Sequence, residues 1–196
     1  MKIGNLDISS FKVGGADCSI YLGSVKLYPS EEPTPPSFDG KYKFTLTDDS
    51  VVSGECDASS AITNAETSAY TNTLKEAVIG DCVTSIGYEA FLNYIRLTSV
   101  TIGSGVTTIG EAAFYSSSLE SITIPSGVTS IGVEAFFETP LRSVTVKALT
   151  PPTLGDDAFD GTSSYLVIYV PSASVDAYKA SSGWSDYASR IQAIPT

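Results

Sequence analysis

The stretch from 78 to 159 states one phrase four times: VIGDCVTSIGYEAF (78–91), IGSGVTTIGEAAF (102–114), IPSGVTSIGVEAF (124–136) and VKALTPPTLGDDAF (146–159). Phe91, Phe114, Phe136 and Phe159 recur at intervals of 23, 22 and 23 residues, and Ile86, Ile109, Ile131 and Leu154 keep the same beat. Leu97, Leu119 and Leu141 form a third column, and Val100, Ile122 and Val144 a fourth. Fixed apolar columns at a period of 20 to 29 residues mark a solenoid, in which no coil buries its own face and stacking creates the core. The fold class predicted is therefore mainly β with short helices: a capped solenoid preceded by a small β module.

Within a coil the residues divide by direction. In LTSVTIG (97–103), Leu97, Val100 and Ile102 point inward while Ser99 and Thr101 point out, the period-two rule of a strand. The same rule turns Ser121, Thr123, Ser143 and Thr145 outward, giving a flat uncharged strip as the candidate binding surface. Val106 and Ile109 make a further short strand. Gly110 then opens a single helical turn, with Glu89, Glu111, Glu134 and Asp157 in its first turn, where a carboxylate suits the positive helix end. The Phe of each copy belongs to the core.

Ahead of the repeats, LKEAVIG (74–80) aligns with 97–103 without a gap, and residues 62–73 read as a degenerate coil with a helical turn near Glu66 to Tyr70. Lys41 to Asp57 alternates and turns at Asp48 and Asp49, a β-hairpin placed to cap the first coil. PSEEPTPPS (29–37) is a proline-rich, self-repelling spacer. Before it, IGNLDI (3–8), VGGADC (13–18) and LGSVKL (22–27) form a smaller repeat, each strand broken at Gly4, Gly14 or Gly23, where glycine turns cheaply. Three such strands have little core and are expected to dock on a partner or on copies of themselves. The alternative is a plain subdomain packed on the solenoid. Beyond the repeats, YLVIYVP (165–171) is a closing strand, and residues 172–191 read as two short helices capped by Ser172 or Ser174 and by Ser185. They lay Val175, Tyr178, Trp184, Tyr187 and Ile191 over the last coil; a sugar-stacking role for Trp184 is the sharper alternative. The divisions are thus 1–29, 30–38, 39–73, 74–164 and 165–196.

Composition narrows the function. The chain has no histidine, which removes Ser-His-Asp and Cys-His nucleophile systems and imidazole metal ligands. Its net charge of −11 argues against nucleic acid or an anionic membrane as partner. Residues 1–28 carry three lysines against two aspartates, so the acidity lies in the remainder. A glycosidase needs two carboxyls across a cleft, one in an apolar pocket, but the acids here begin turns. Asp156, Asp157 and Asp160 lack the spacing of a calcium loop, and no Walker-type phosphate loop exists. No catalytic, cofactor or metal residue is therefore assigned. Cys18, Cys56 and Cys82 are too scattered for a disulfide framework and read as buried free thiols of a reducing compartment. The first residues lack the apolar core of a signal peptide, and no stretch approaches a membrane span.

The phrases V-T-S-I-G, E-A-F and L-x-S-I-T-I-P resemble the BspA-like leucine-rich repeat family over about residues 74–159. The close, YVPSASVDAYKASSGWSDYASRIQAI (169–194), is similar to the C-terminal cap found with such repeats in proteins of gut bacteria and their phages. The head, ending IYLGSVKLYP (20–29), resembles short N-terminal anchor modules of phage virion and tail proteins. These resemblances imply a leucine-rich-repeat solenoid and a non-catalytic phage virion structural protein, a head or tail fibre or decoration subunit. Residues 1–29 would meet other virion proteins and the chain would form a homo-oligomer, a trimer being the expected state. The solenoid would meet a host surface protein or glycan, with no nucleic acid, membrane or cofactor involved. The location implied is the virion, assembled in the host cytoplasm. The alternatives are a bacterial cell-surface adhesin and a cytoplasmic interaction scaffold.

Overall fold

A computed structural model describes residues 38–57 and 60–195, together with the backbone of four short strands nearer the N-terminus. The chain divides into two compact units, Met1–Ser37 and Phe38–Thr196. In the first, β1 (Lys2–Ile3) pairs antiparallel with β2 (Leu6–Asp7), and β3 (Ile20–Leu22) with β4 (Val25–Tyr28). The expected turns at Gly4, Gly14 and Gly23, and the whole unit 13–18, lie outside the described residues.

The second unit begins with β5 (Tyr42–Leu46) and β6 (Val51–Gly54), an antiparallel hairpin. Asp48 shapes its turn by accepting hydrogen bonds from the Ser50 N–H (3.0 Å) and hydroxyl (2.6 Å). Then follow β7 (Ala61–Ile62), α1 (Asn64–Thr67) running into a 3-10 turn at Ser68–Tyr70, and β8 (Leu74–Ile79). The Glu66 carboxylate reaches back to the Thr63 N–H (2.9 Å), closing a capping box on α1. From here each coil carries a long strand and a two-residue strand: β9 (Ser85–Ile86), β10 (Ser99–Ile102), β11 (Thr108–Ile109), β12 (Ser121–Ile124), β13 (Ser130–Ile131), β14 (Ser143–Val146), β15 (Thr153–Leu154) and β16 (Val167–Val170). Last come α2 (Val175–Ala180), a 3-10 helix at Trp184–Arg190 and β17 (Ile191–Ala193).

The short strands form one continuous parallel sheet in the order β15-β13-β11-β9-β7. The long strands form two sheets, β10-β8-β5-β6 and β12-β14-β16-β17. Strand β12 runs beside β10 without pairing to it. One coil on, the Lys147 N–H donates to the Ile124 carbonyl (3.0 Å); Pro125 holds the equivalent place in its own coil and has no N–H to offer Ile102.

Between the inner faces lies the predicted core. Phe91, Phe114, Phe136 and Phe159 stack in one file, centroids 5.1 to 5.3 Å apart and planes within 5° of parallel. Small residues let the coils approach: a Cβ on Gly132 would stand 2.4 Å from the Glu111 nitrogen, and one on Gly155 2.3 Å from the Val133 nitrogen. The segment preceding each Phe is not the helical turn expected. It is a double turn with left-handed backbone at Glu89, Ala112, Glu134 and Asp157 and again four residues later, at Asn93, Ser116, Glu138 and Gly161. Glu111 stands one residue before that column. Alternate N–H groups bond within the turn, Leu92 to the Glu89 carbonyl for example, and the others to the next coil, as from Phe91 to Ala113 (2.7 Å) and Phe114 to Ala135 (2.8 Å). Satisfying both directions favours this ladder over an isolated helical turn, whose nucleus is costly.

At the two ends side chains meet the coil backbone. The buried Thr67 hydroxyl donates to the Ala90 carbonyl. The Phe159 N–H donates to the Tyr187 hydroxyl (3.3 Å), which itself donates to Asp160 Oδ1 (2.7 Å). Burial and that carboxylate push Tyr187 well above the usual phenol range. Burial alone pushes Tyr178 up to about 12, and its hydroxyl donates to the Ala148 carbonyl (2.8 Å). Trp184 is fully buried, Nε1 on the Pro152 carbonyl (2.7 Å), its ring between Phe159 and Tyr178. That burial leaves no face for a sugar. The serines expected as helix caps act otherwise: Ser174 donates to the Leu149 carbonyl (2.8 Å), Ser172 opens a 3-10 turn that precedes α2, and Gly183 rather than Ser185 precedes the last helix.

The cysteine reading is corrected as well. Cys56 and Cys82 are exposed rather than buried, and they form a disulfide with Cα atoms 6.2 Å apart. Their separation of 26 residues is close to one coil, and residues one coil apart are neighbours in a solenoid. Cys18 lies outside the described residues. Beside the bridge, the buried Lys41 ammonium donates to Glu66 Oε1 (2.8 Å) and Asp57 Oδ1 (3.3 Å). Burial works against its charge, but those two carboxylates outweigh it and hold Lys41 above its ordinary pKa.

Candidate functional site

All six residues of the predicted strip face outward from the long strands. Ser99, Ser121 and Thr123 are exposed; Thr101, Ser143 and Thr145 are half-exposed. Register places Ser121 opposite Ser143 and Thr123 opposite Thr145, so two rows run across the coils. Neighbouring strands in such rows lie about 4.8 Å apart. The rows continue beyond the prediction: Ser143 and Thr145 are followed by Val167 and Tyr169, while Ser99 and Thr101 are preceded by Glu76 and Val78.

What distinguishes these hydroxyls is where their hydrogen bonds go. On the short-strand side, Thr84, Thr107, Thr129 and Thr153 each donate to a carbonyl of the preceding coil, at 3.1 to 3.4 Å. Those hydroxyls are committed to holding the stack. Among the described residues, none of the six strip hydroxyls makes a hydrogen bond to the protein, so all six are open to solvent or a ligand. The sequence offered a hint, since Thr84, Thr107 and Thr129 sit in the V-T phrase beside the inward Val, but type alone does not separate the two sets.

Charge is also unevenly placed. Exposed Lys43, Arg142 and Lys147 accompany the long strands together with exposed Glu76 and Glu120, leaving that face near neutral. The double turns, residues 87–95, 110–118, 132–140 and 155–163, hold seven carboxylates and no lysine or arginine. Sequence reasoning set an uncharged strip against an otherwise acidic body and placed the acids at turns, without naming the double turns as one carboxylate-rich edge. The signal was present in G-E and G-D-D at the turns against L-R-S and V-T-V-K at the strands.

A recess of about 470 Å³ sits under the loop 148–153, lined by Val128, Ala148, Leu149, Pro151 and Pro152 among others, without an ionisable side chain. It therefore has no acid or base with which to do chemistry. Among the described residues no cluster of Cys, Asp and Glu could hold a metal ion, and no helix is long and apolar enough to cross a membrane.

No curated protein compared with the chain matches it. The BspA type leucine rich repeat region matches six times across residues 55–179, well over half the chain. Repeats of this kind are typically interaction or adhesion modules without catalytic activity. With its stacked coils, phenylalanine file and outward hydroxyl rows, the chain belongs to the BspA-type leucine-rich repeat family.

Proposed function

We propose that this protein is a non-catalytic adhesion module that recognises a glycan or protein on a host surface through Ser99, Thr101, Ser121, Thr123, Ser143 and Thr145. The observation that carries the reading is that, among the described residues, those six hydroxyls have no internal partner, set against the internal use of the threonines across the coil. Regularly spaced hydroxyls on a near-neutral sheet suit hydrogen bonding to sugar hydroxyls or to a polar protein surface. The finer assignment is display on a phage particle, as a head or tail fibre or decoration subunit. It is supported by the division into a small N-terminal unit and the repeat unit, and by the likeness of residues 20–29 to virion anchors. In that arrangement residues 1–29 join other virion proteins and assemble the chain as an oligomer.

A second reading, a bacterial cell-surface adhesin, is favoured by the exposed Cys56–Cys82 disulfide, because such bridges persist in oxidising surroundings. The same bridge counts against a cytoplasmic scaffold. The binding claim is tested on an array of bacterial surface glycans and whole cells. Wild-type binding should be lost when Thr101, Thr123 and Thr145 become lysine; equal binding by wild type and variant rejects the strip. Immunogold labelling decides the carrier: label on particles supports the virion and label on cell envelopes supports the adhesin.

A further inference from the structure

The double-turn edge carries apolar surface that the repeat does not require. Tyr88, Ile95 and Val133 are 60%, 60% and 39% exposed. Tyr115 and Phe137 are half-exposed and stack on each other, centroids 5.1 Å apart with planes at 19°. Every one of these positions takes a polar or charged residue elsewhere in the array. Tyr88 and Val133 share a column with Glu111 and Asp156; Tyr115 and Phe137 share one with Leu92 and Asp160; Ile95 shares one with Ser118, Pro140 and Ser163. Glu111 and Asp156 stand in the Tyr88 and Val133 column, and Ser118 and Ser163 in the Ile95 column, so the repeat does not require apolar groups at Tyr88, Val133 or Ile95. Exposed apolar side chains recurring along the double turns, with the Tyr115–Phe137 stack among them, suit an interaction site.

The surroundings of the rings identify the occupant. The neighbouring Glu89 and Glu111 carboxylates raise the Tyr88 phenol's pKa; partial burial and the charges of Glu138 and Glu134 do the same to Tyr115. Geometry places carboxylates beside the rings: Ser116, next to Tyr115, donates its hydroxyl to Glu138 Oε2 (3.2 Å), and the N–H of Glu89, next to Tyr88, donates to the Glu111 carbonyl (3.0 Å). No lysine or arginine of the double turns neutralises them. A nucleic acid or anionic lipid would be repelled, and a neutral sugar would use the rings but none of the charge. A guanidinium or ammonium uses both, stacking its plane or stem on a ring while pairing with a carboxylate.

We propose that the ridge of Tyr88, Tyr115 and Phe137, rimmed by Glu111, Glu134 and Glu138, docks an arginine- or lysine-bearing segment of a partner protein. It is a second surface, formed by the double turns rather than by the long strands that carry the hydroxyl strip. In a displayed module, one surface can then hold a protein partner while the other remains open.

The test uses the full chain and a synthetic peptide of repeated Arg-Leu-Arg-Gly, followed by calorimetry and by amide shift mapping. Binding should map to residues 88–95, 111–116 and 133–138, and weaken as salt rises. Replacing Tyr115 and Phe137 together by alanine should weaken it at least tenfold. Tyr88→Ala, at an exposed ring that the fold does not use, should weaken it about threefold, so the readout survives if the double variant fails to fold. Glu134→Gln with Glu138→Gln should weaken it strongly, whereas Glu120→Gln with Asp176→Asn, the same two charges removed elsewhere, should leave it unchanged. Absence of binding overturns the proposal. So does equal weakening by the two charge pairs, which would reduce the effect to net charge, or undiminished binding of a Ser-Leu-Ser-Gly peptide.

Discussion

The two ends of the repeat unit meet the same problem with different chemistry. At the N-terminal end, Lys41 is buried between Glu66 and Asp57, and a disulfide ties Cys56 to the first coil at Cys82. At the C-terminal end, Trp184 and Tyr187 bury rings against Phe159 and Tyr178 packs on Trp184, and the three spend their polar atoms on the Pro152 carbonyl, the Phe159 N–H and the Ala148 carbonyl. Apolar packing varies little with pH or redox state, whereas an ion pair and a disulfide depend on both. The difference teaches that one end of the array depends on redox state and on its ion pair, whereas the other depends on neither and responds to pH only where its buried phenols ionise.

The largest effect should come from the C-terminal end. Trp184→Ala removes a fully buried ring and leaves the Pro152 carbonyl without its donor, so it should cost about 4 kcal/mol. Urea unfolding measures the loss, and it should be the same with and without reductant; a cost that shrinks under reductant would break the contrast between the ends. Next is the bridge. Cys56→Ser with Cys82→Ser frees a loop of 26 residues and should cost about 3 kcal/mol. Hydrogen exchange should place the loss at the hairpin and α1, leaving β16 protected.

Smaller still is the ion cluster. Lys41→Met leaves Glu66 facing an apolar neighbour, though Glu66 is partly solvated, so about 2 kcal/mol is expected. The pH dependence follows from the two shifts. Glu66 is desolvated, which alone would raise its pKa, but hydrogen bonds from Lys41 and Thr63 hold it below the usual carboxylate value. Its contribution is present above the unfolded value and lost as pH falls through the folded one. Lys41 is raised, so its contribution is present below the unfolded lysine value and lost as pH rises through the folded one. Both are in place between about pH 5 and pH 10. Exchange at Thr63–Thr67 should accelerate below that window while exchange at Val167–Val170 does not. The smallest effect is Tyr94→Phe. Among the described residues the buried Tyr94 hydroxyl has no partner, so its removal should be neutral or stabilise by up to about 1 kcal/mol, read as a rise in melting temperature.

The repeat was legible in the sequence because each apolar column is occupied by the same residue class in every coil. Phe114 predicts Phe136, and Ser121 outward predicts Ser143 outward. The double turns were not legible, because E-A-F is equally good helix sequence, and only the partner carbonyls one coil away, such as Ala113 for Phe91, make the left-handed alternative cheaper. The disulfide was missed for a related reason: Cys56 lies where the column pattern is weakest, and adjacency appears only once residues one coil apart are counted as neighbours. Of the candidate site, the direction of each strip residue could be read from alternation. Which hydroxyls were free could not, since Thr101 and Thr107 differ in what lies across from them rather than in kind.

The gap beside Pro125 gives the molecule the build of a book. The unbroken sheet of short strands is the spine, and the two sheets of long strands are its leaves. Ser99 and Thr101 are printed on one leaf, and Ser121, Thr123, Ser143 and Thr145 on the other. A receptor that reads across all six must span the line between β10 and β12, where the described residues form no ladder.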